Sequence, residues 1–112
     1  MPVCKQKGEA SVVSQWYLYM VRCRKGTLYT GIATNVARRF GEHQSNSTKA
    51  AKYLRGRGPL ALVFEKVIGT NKRVALSVER LVKNLQKSTK EAMLVQPDII
   101  EGLMARAELR HG

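Results

Sequence analysis

The chain alternates short apolar runs with polar, turn-forming segments, and the period changes from run to run. Trp16 to Cys23 (WYLYMVRC) is aromatic, β-branched and apolar, which predicts a buried strand. Arg24, Lys25, Gly26 and Thr27 supply a turn, and Leu28 to Gly31 resumes as a second strand, giving an antiparallel hairpin. Thr34 or Asn35 can cap a helix over Val36 to Gln44, with Val36 and Phe40 four apart on one face. The polar loop QSNSTKAAKYLRGRGP then leads into LALVFEKVI, a third strand. Gly69, Thr70 and Asn71 make a turn and a cap. Beyond them Ala75, Val78, Val82 and Leu85 keep the i, i+3, i+7, i+10 spacing of one buried helical face. Ser88 to Glu91 has the S-x-x-E pattern of a capping box and predicts a further helix from there to about Val95. Pro97 and Asp98 open a last amphipathic segment that runs to about Leu109.

The order β-β-α-β-α-α, followed by that last segment, predicts an α/β (α+β) fold with a small central antiparallel three-stranded sheet flanked by helices. With 112 residues, 44% of them hydrophobic, the chain can fill one core but not two. It divides into a loose leader over 1–15, a domain over 16–95 and a helical extension over 96–112. No apolar run approaches the roughly 20 residues of a membrane span, and Met1 to Gln15 lacks the apolar stretch of a secretory signal, which predicts a cytoplasmic protein. Cys4 and Cys23 read as two unrelated thiols, with no CxxC or Cys/His cluster to suggest zinc.

Charge changes the picture more than composition does. The formal net charge is +12, and it is concentrated between Arg22 and Lys90, where sixteen Lys and Arg face three acids, Glu42, Glu65 and Glu79. Such a field attracts a polyanion and makes binding salt-dependent, so nucleic acid is the first candidate partner. A soluble basic surface has the same composition, and charge alone does not separate the two.

The polar residues that a core would not require are few. Tyr19 in the first strand and Tyr29 in the second can be brought by a short hairpin to one end of the sheet, although tyrosines filling a sheet face are the simpler reading. Arg39 and His43 share a helix face with Asn35 one turn earlier, and an arginine fork suits a phosphate; with Arg38 and Glu42 beside them, a solvated face with surface ion pairs is the plain alternative. Glu79 is the lone acid of a basic helix and lies at the edge of its buried stripe. It can hold Mg²⁺, which takes one or two carboxylates with phosphate oxygens and water, or it can pair with Lys83 four residues on. In the loop, Lys52, Tyr53, Arg55 and Arg57 set an aromatic ring among cations, a pattern that contacts phosphates while a ring stacks on a base.

Order and spacing join these residues. Tyr17-Leu18-Tyr19, then Tyr29-Thr30-Gly31 ten residues later, Arg39 ten further on, and Ala75-Leu76-x-x-Glu79 resemble the core of the GIY-YIG nuclease domains. WYLYMVRC, LYTGIATNVARRFGEH, KAAKYLRGRGPLALVF and ALSVERLVKNL look closest to its small stand-alone bacterial members, the YhbQ-like proteins, from about Trp16 to Val95.

The resemblance implies that Tyr19 and Tyr29 are active-site phenols, one of them deprotonating or orienting the attacking water. It implies that Arg39 holds the scissile phosphate, that His43 moves a proton or positions phosphate, and that Glu79 is the single protein ligand of Mg²⁺ or Mn²⁺. Arg38 and the basic loop (Lys52, Tyr53, Arg55, Arg57) would then contact the nucleic acid. Tyr17 and Leu18 stand where the first namesake motif has Gly and Ile, and Thr30 replaces the Ile of the second. Ile32 occupies a place where the excision-nuclease branch carries Lys, and the late Asn of some homing enzymes has no match. The expected function is a divalent-metal-dependent nuclease cutting DNA by structure more than by sequence, in DNA repair or processing, with no organic cofactor and no membrane. RNA stays open as a target. The alternative class is a basic binding module that keeps the fold without turnover.

Overall fold

In the computed structural model, residues 14–45 and 49–111 are described. The expected leader lies almost wholly outside them, as does Cys4; Cys23 is a free, buried thiol. Three strands, β1 (Trp16–Arg22), β2 (Leu28–Ala33) and β3 (Ala61–Gly69), form one sheet in the order β2-β1-β3, with both neighbours antiparallel to β1. This is the three-stranded antiparallel sheet expected from the sequence. Four helices follow in chain order: α1 (Val36–Gln44), α2 (Lys72–Lys83), α3 (Lys87–Val95) and α4 (Ile99–His111).

β1 is apolar almost throughout because both of its faces are covered, whereas a half-buried antiparallel strand alternates. On one face Tyr19, Val21 and Cys23 pack with Val36 and Phe40 of α1 and with Leu54 from a single 3₁₀ turn (Lys52–Leu54). On the other, Leu18 and Met20 join Phe64 and Ile68 of β3, the α2 stripe Val74, Ala75, Val78 and Val82, and Met93, Ile100, Leu103 and Ala107 from the last two helices. The spacing read in α2 is thus its buried stripe, and α4 seals the same core.

α1 has the expected bounds, and the Asn35 side chain accepts the Arg38 N–H at 3.0 Å. Asn71 caps α2 in the same manner through the Arg73 N–H at 2.9 Å. β2 continues two residues beyond the expected Gly31, because Ile32 and Ala33 still pair with Leu18 and Tyr17. The capping box at Ser88 does not form. α3 starts at Lys87 with Gln86 as its N-cap, whose carbonyl accepts the Thr89 and Lys90 N–H groups at 3.0 and 3.1 Å, so Ser88 lies inside the first turn. Glu91, which a capping box would turn back toward Ser88, instead takes both forks of Arg22 at 2.8 Å. A charge-assisted pair of parallel bonds outweighs one carboxylate–amide bond. That pair also ties α3 to the end of β1.

Candidate active site

The hairpin turns about Lys25, so its register sets Tyr19 opposite Gly31 and Val21 opposite Tyr29. Tyr19, Tyr29 and Gly31 therefore share the face covered by α1. The Tyr19 ring lies across Gly31: a Cβ at that position would sit 2.6 Å from the Tyr19 hydroxyl and 2.7 Å from Cζ. The glycine is required there by a close approach of a ring.

From that position Tyr19 reaches His43, its Oη lying 2.8 Å from Nε2 with both residues buried. On the other side of the imidazole, Nδ1 accepts the Ala51 N–H at 3.1 Å. A ring nitrogen that accepts carries no proton, so the neutral imidazole bears its hydrogen on Nε2 and donates to Tyr19. Tyr29 packs edge-on to His43 at 5.6 Å between centroids and tilted to Tyr19 at 6.4 Å, which closes a group of three rings. Tyr19 is shut away from solvent, whereas Tyr29 is partly exposed.

Two charged groups act on this cluster. Burial holds the Tyr19 phenol well above its ordinary value of about 10, with the Tyr29 phenol adding to the shift; Arg39 opposes it and the Glu79 carboxylate raises it further. Arg39 donates to Glu42 at 2.8 Å and to the Lys49 carbonyl at 2.6 Å, so the surface pair foreseen on this helix face exists and involves Arg39. Glu79 has a side chain 19% exposed and pairs with Lys83 at 3.4 Å. That is the plainer of its two sequence readings, and the length of the contact leaves it a weak pair.

The basic loop joins the site through Tyr53, whose ring stacks on Tyr29 at 6.0 Å and 19°, while the Arg57 guanidinium lies over the same ring at 4.4 Å from its centroid. A base stacking on Tyr53 would compete with these neighbours for its ring. Arg55 and Arg57 line a cavity of about 310 Å³ with Arg24, Lys25 and Cys23. Arg38 and Lys52 are exposed, on α1 and at the start of the 3₁₀ turn. Sequence reading missed the Ala51 N–H and the purpose of Gly31. The hairpin turn carried the signal for the second, since folding about Lys25 sets position 19 against position 31.

Burial lowers the His43 pKa, and Arg39 lowers it further against the opposing pull of Glu42. Its folded value therefore lies below the roughly 6.5 of an unfolded histidine. As pH falls below about 6.5 the unfolded chain binds a proton that the folded chain refuses, so stability declines, by at most about 1.4 kcal/mol per pH unit. Above that pH the residue contributes no slope. Protonation also removes the acceptor for Ala51. Urea denaturation at pH 7.5, 6.5 and 5.5 should show this loss in the wild type, and His43→Gln should flatten it.

A three-stranded antiparallel sheet that brings two phenols, a histidine, an arginine and a glutamate toward one another is the frame of a GIY-YIG domain, and the chain belongs to that family of nucleases. Residues 15–92 match the GIY-YIG catalytic domain. The chain is 46% identical over 85 residues to a UPF0213 protein of Vibrio cholerae, covering 76% of this chain and 82% of that one. It is 41% identical over 93 residues to UPF0213 protein YhbQ of Salmonella typhimurium, covering 83% and 90%. Among solved structures it is similar to a UPF0213 protein from Bacillus halodurans determined by solution NMR, at 38% identity and a TM-score of 0.47, covering 73% of this chain and 84% of that one. Among the described residues no helix is long and apolar enough to cross a membrane.

Proposed function

We propose that the protein is a divalent-metal-dependent nuclease that hydrolyses DNA phosphodiester bonds, selecting its substrate by DNA structure and serving DNA repair or processing. The observation that carries this reading is that one buried phenol, Tyr19, is bonded to His43, packed against Tyr29 and acted on by both Arg39 and Glu79. Hydrolysis of a phosphodiester needs an oriented water, countercharge on the phosphate and a Lewis acid. Tyr29, the more accessible phenol, orients the water. Tyr19 stays protonated and fixes the positions of Tyr29 and His43. Arg39 turns from Glu42, which is partly open to solvent, to offset charge on the scissile phosphate.

Glu79 fits a site for Mg²⁺ or Mn²⁺. It is a partly exposed carboxylate held by one weak pair, and the described residues contain no group of three His, Cys, Asp or Glu that would make an all-protein cage. Mg²⁺ commonly takes one or two carboxylates and completes its shell with water and substrate phosphate. When bound, the ion supplies Lewis acidity at the phosphate.

The test is incubation of the purified protein with labelled single-stranded, nicked, flapped and plain duplex DNA in Mg²⁺, Mn²⁺ or EDTA. Cutting that requires the metal and differs among the substrates is expected. Binding without cutting in every condition would replace the nuclease with a binding module. Tyr29→Phe removes one hydroxyl and little packing, so cleavage should fall by roughly a hundredfold while binding in EDTA and melting temperature hold. A Tyr29→Phe enzyme that turns over at the wild-type rate would take the water-orienting role away from Tyr29.

A further inference from the structure

β2 is an edge strand, and along it lies a cavity of about 340 Å³ lined by Leu28, Tyr29, Thr30, Tyr53, Lys83 and Lys90. Its charged lining is cationic only. Lys83, on the last turn of α2, has a side chain about half exposed and is held by the single long contact to Glu79. Lys90 is partly buried and enters from α3, where Glu91, the acid next to it in sequence, is committed through both oxygens to Arg22. Among the described residues Lys90 forms no ion pair. Thr30 lines the same cavity; its hydroxyl is itself buried and has no hydrogen-bond partner among the described residues.

Two ammonium groups converging on a space without a carboxylate suit a compact anion with several acceptor oxygens. They lack the flat fork by which arginine grips a carboxylate. Two further features link the space to the site described above: Tyr29 belongs to both, and Lys83 lies 3.4 Å from Glu79. We infer that this edge cavity seats a phosphate of the nucleic-acid strand beside the one being cut, with Lys83 and Lys90 as its ligands. The inference rests on the reading of Tyr29 and Glu79 as parts of a nuclease site. The seated phosphate is either the terminal phosphate of a strand end or an internal linkage, and these give different substrate preferences from the same chemistry.

The experiment measures affinity of the full chain for short labelled single-stranded DNA in EDTA. One oligonucleotide carries a 5′-phosphate, one a 5′-hydroxyl, and a further set carries a single uncharged methylphosphonate linkage moved along the strand. The wild type should lose affinity sharply, about tenfold, at one position of this series. Lys90→Gln and Lys83→Gln, already weaker by a similar factor, should lose nothing further at that position while responding normally elsewhere. A sensitive 5′-phosphate means the cavity takes a strand end, and a sensitive internal linkage means it takes a continuing strand; either outcome supports the site. Losses that multiply at every position in both variants, as independent charges do, overturn it. No metal and no cutting enter this measurement, so a wild type that never cleaves would remove the nuclease reading and leave the phosphate site to be judged by its own result.

Discussion

Glu79→Ala should abolish metal-dependent cleavage, with a loss of about a thousandfold or more, while the protein stays folded. The size follows from the role. A Lewis acid at the phosphate contributes several kcal/mol to transition-state stabilisation, and each 1.4 kcal/mol is about tenfold in rate. Of the other described acids, Glu42 is held by Arg39, Glu91 by Arg22 and Glu101 by Lys66, Glu65 stands on the edge strand β3, and Asp98 and Glu108 are exposed at the start of and within the last helical segment. Folding should be indifferent, because the pair that Glu79 makes with Lys83 is long and its lysine end half exposed, and alanine is the better helix former. The melting temperature should therefore move by no more than about 2 °C. Single-turnover cleavage in Mg²⁺ and Mn²⁺ and a thermal melt decide it together. A folded Glu79→Ala protein that cuts as the wild type does would remove Glu79 from the metal site.

The second large effect falls on stability. Gly31→Ala adds one methyl group where the Tyr19 ring already lies, at 2.6 to 2.7 Å from where the new carbon would be. β1 is the central strand and Tyr19 is buried, so the ring has no exposed space to move into. Overpacking of this kind costs roughly 1–3 kcal/mol. Moving the ring also breaks the bond to His43 and strands two buried polar groups, for about 1–3 kcal/mol more. The melting temperature should drop by roughly 10 °C or more, with cleavage falling at temperatures where the variant is still folded. Tyr19→Phe separates the two parts, since it keeps the ring over Gly31 and removes only the bond to His43. If Gly31→Ala melted with the wild type, the Tyr19 ring would have to lie elsewhere.

Much of the fold was legible along the chain. The hairpin about Lys25, the cap at Asn35, the Val36–Gln44 helix and the Ala75–Val78–Val82 stripe are written locally, because turn chemistry, caps and the 3.6-residue period act over a few neighbouring residues. The capping box at Ser88 was misleading because Glu91 finds its partner 69 residues away on β1. Nothing in a local pattern can weigh a distant guanidinium against a nearby amide.

The candidate site divides along the same line. Sequence by itself determined the candidates, since Tyr19, Tyr29, Arg39, His43 and Glu79 follow a spacing that resembles the GIY-YIG core, and it determined that they sit in a strongly basic chain. Tertiary structure decided their surroundings. It buried Tyr19 and left Tyr29 partly exposed, set the His43 tautomer through the Ala51 N–H, put Tyr53 beside Tyr29 and Arg57, and brought Lys83 and Lys90 to one cavity. Burial and hydrogen-bond geometry depend on which elements pack together, and it is those two properties that fix protonation and access. A residue's identity states what its side chain can do, and only the packing around it determines which proton it holds and what can reach it.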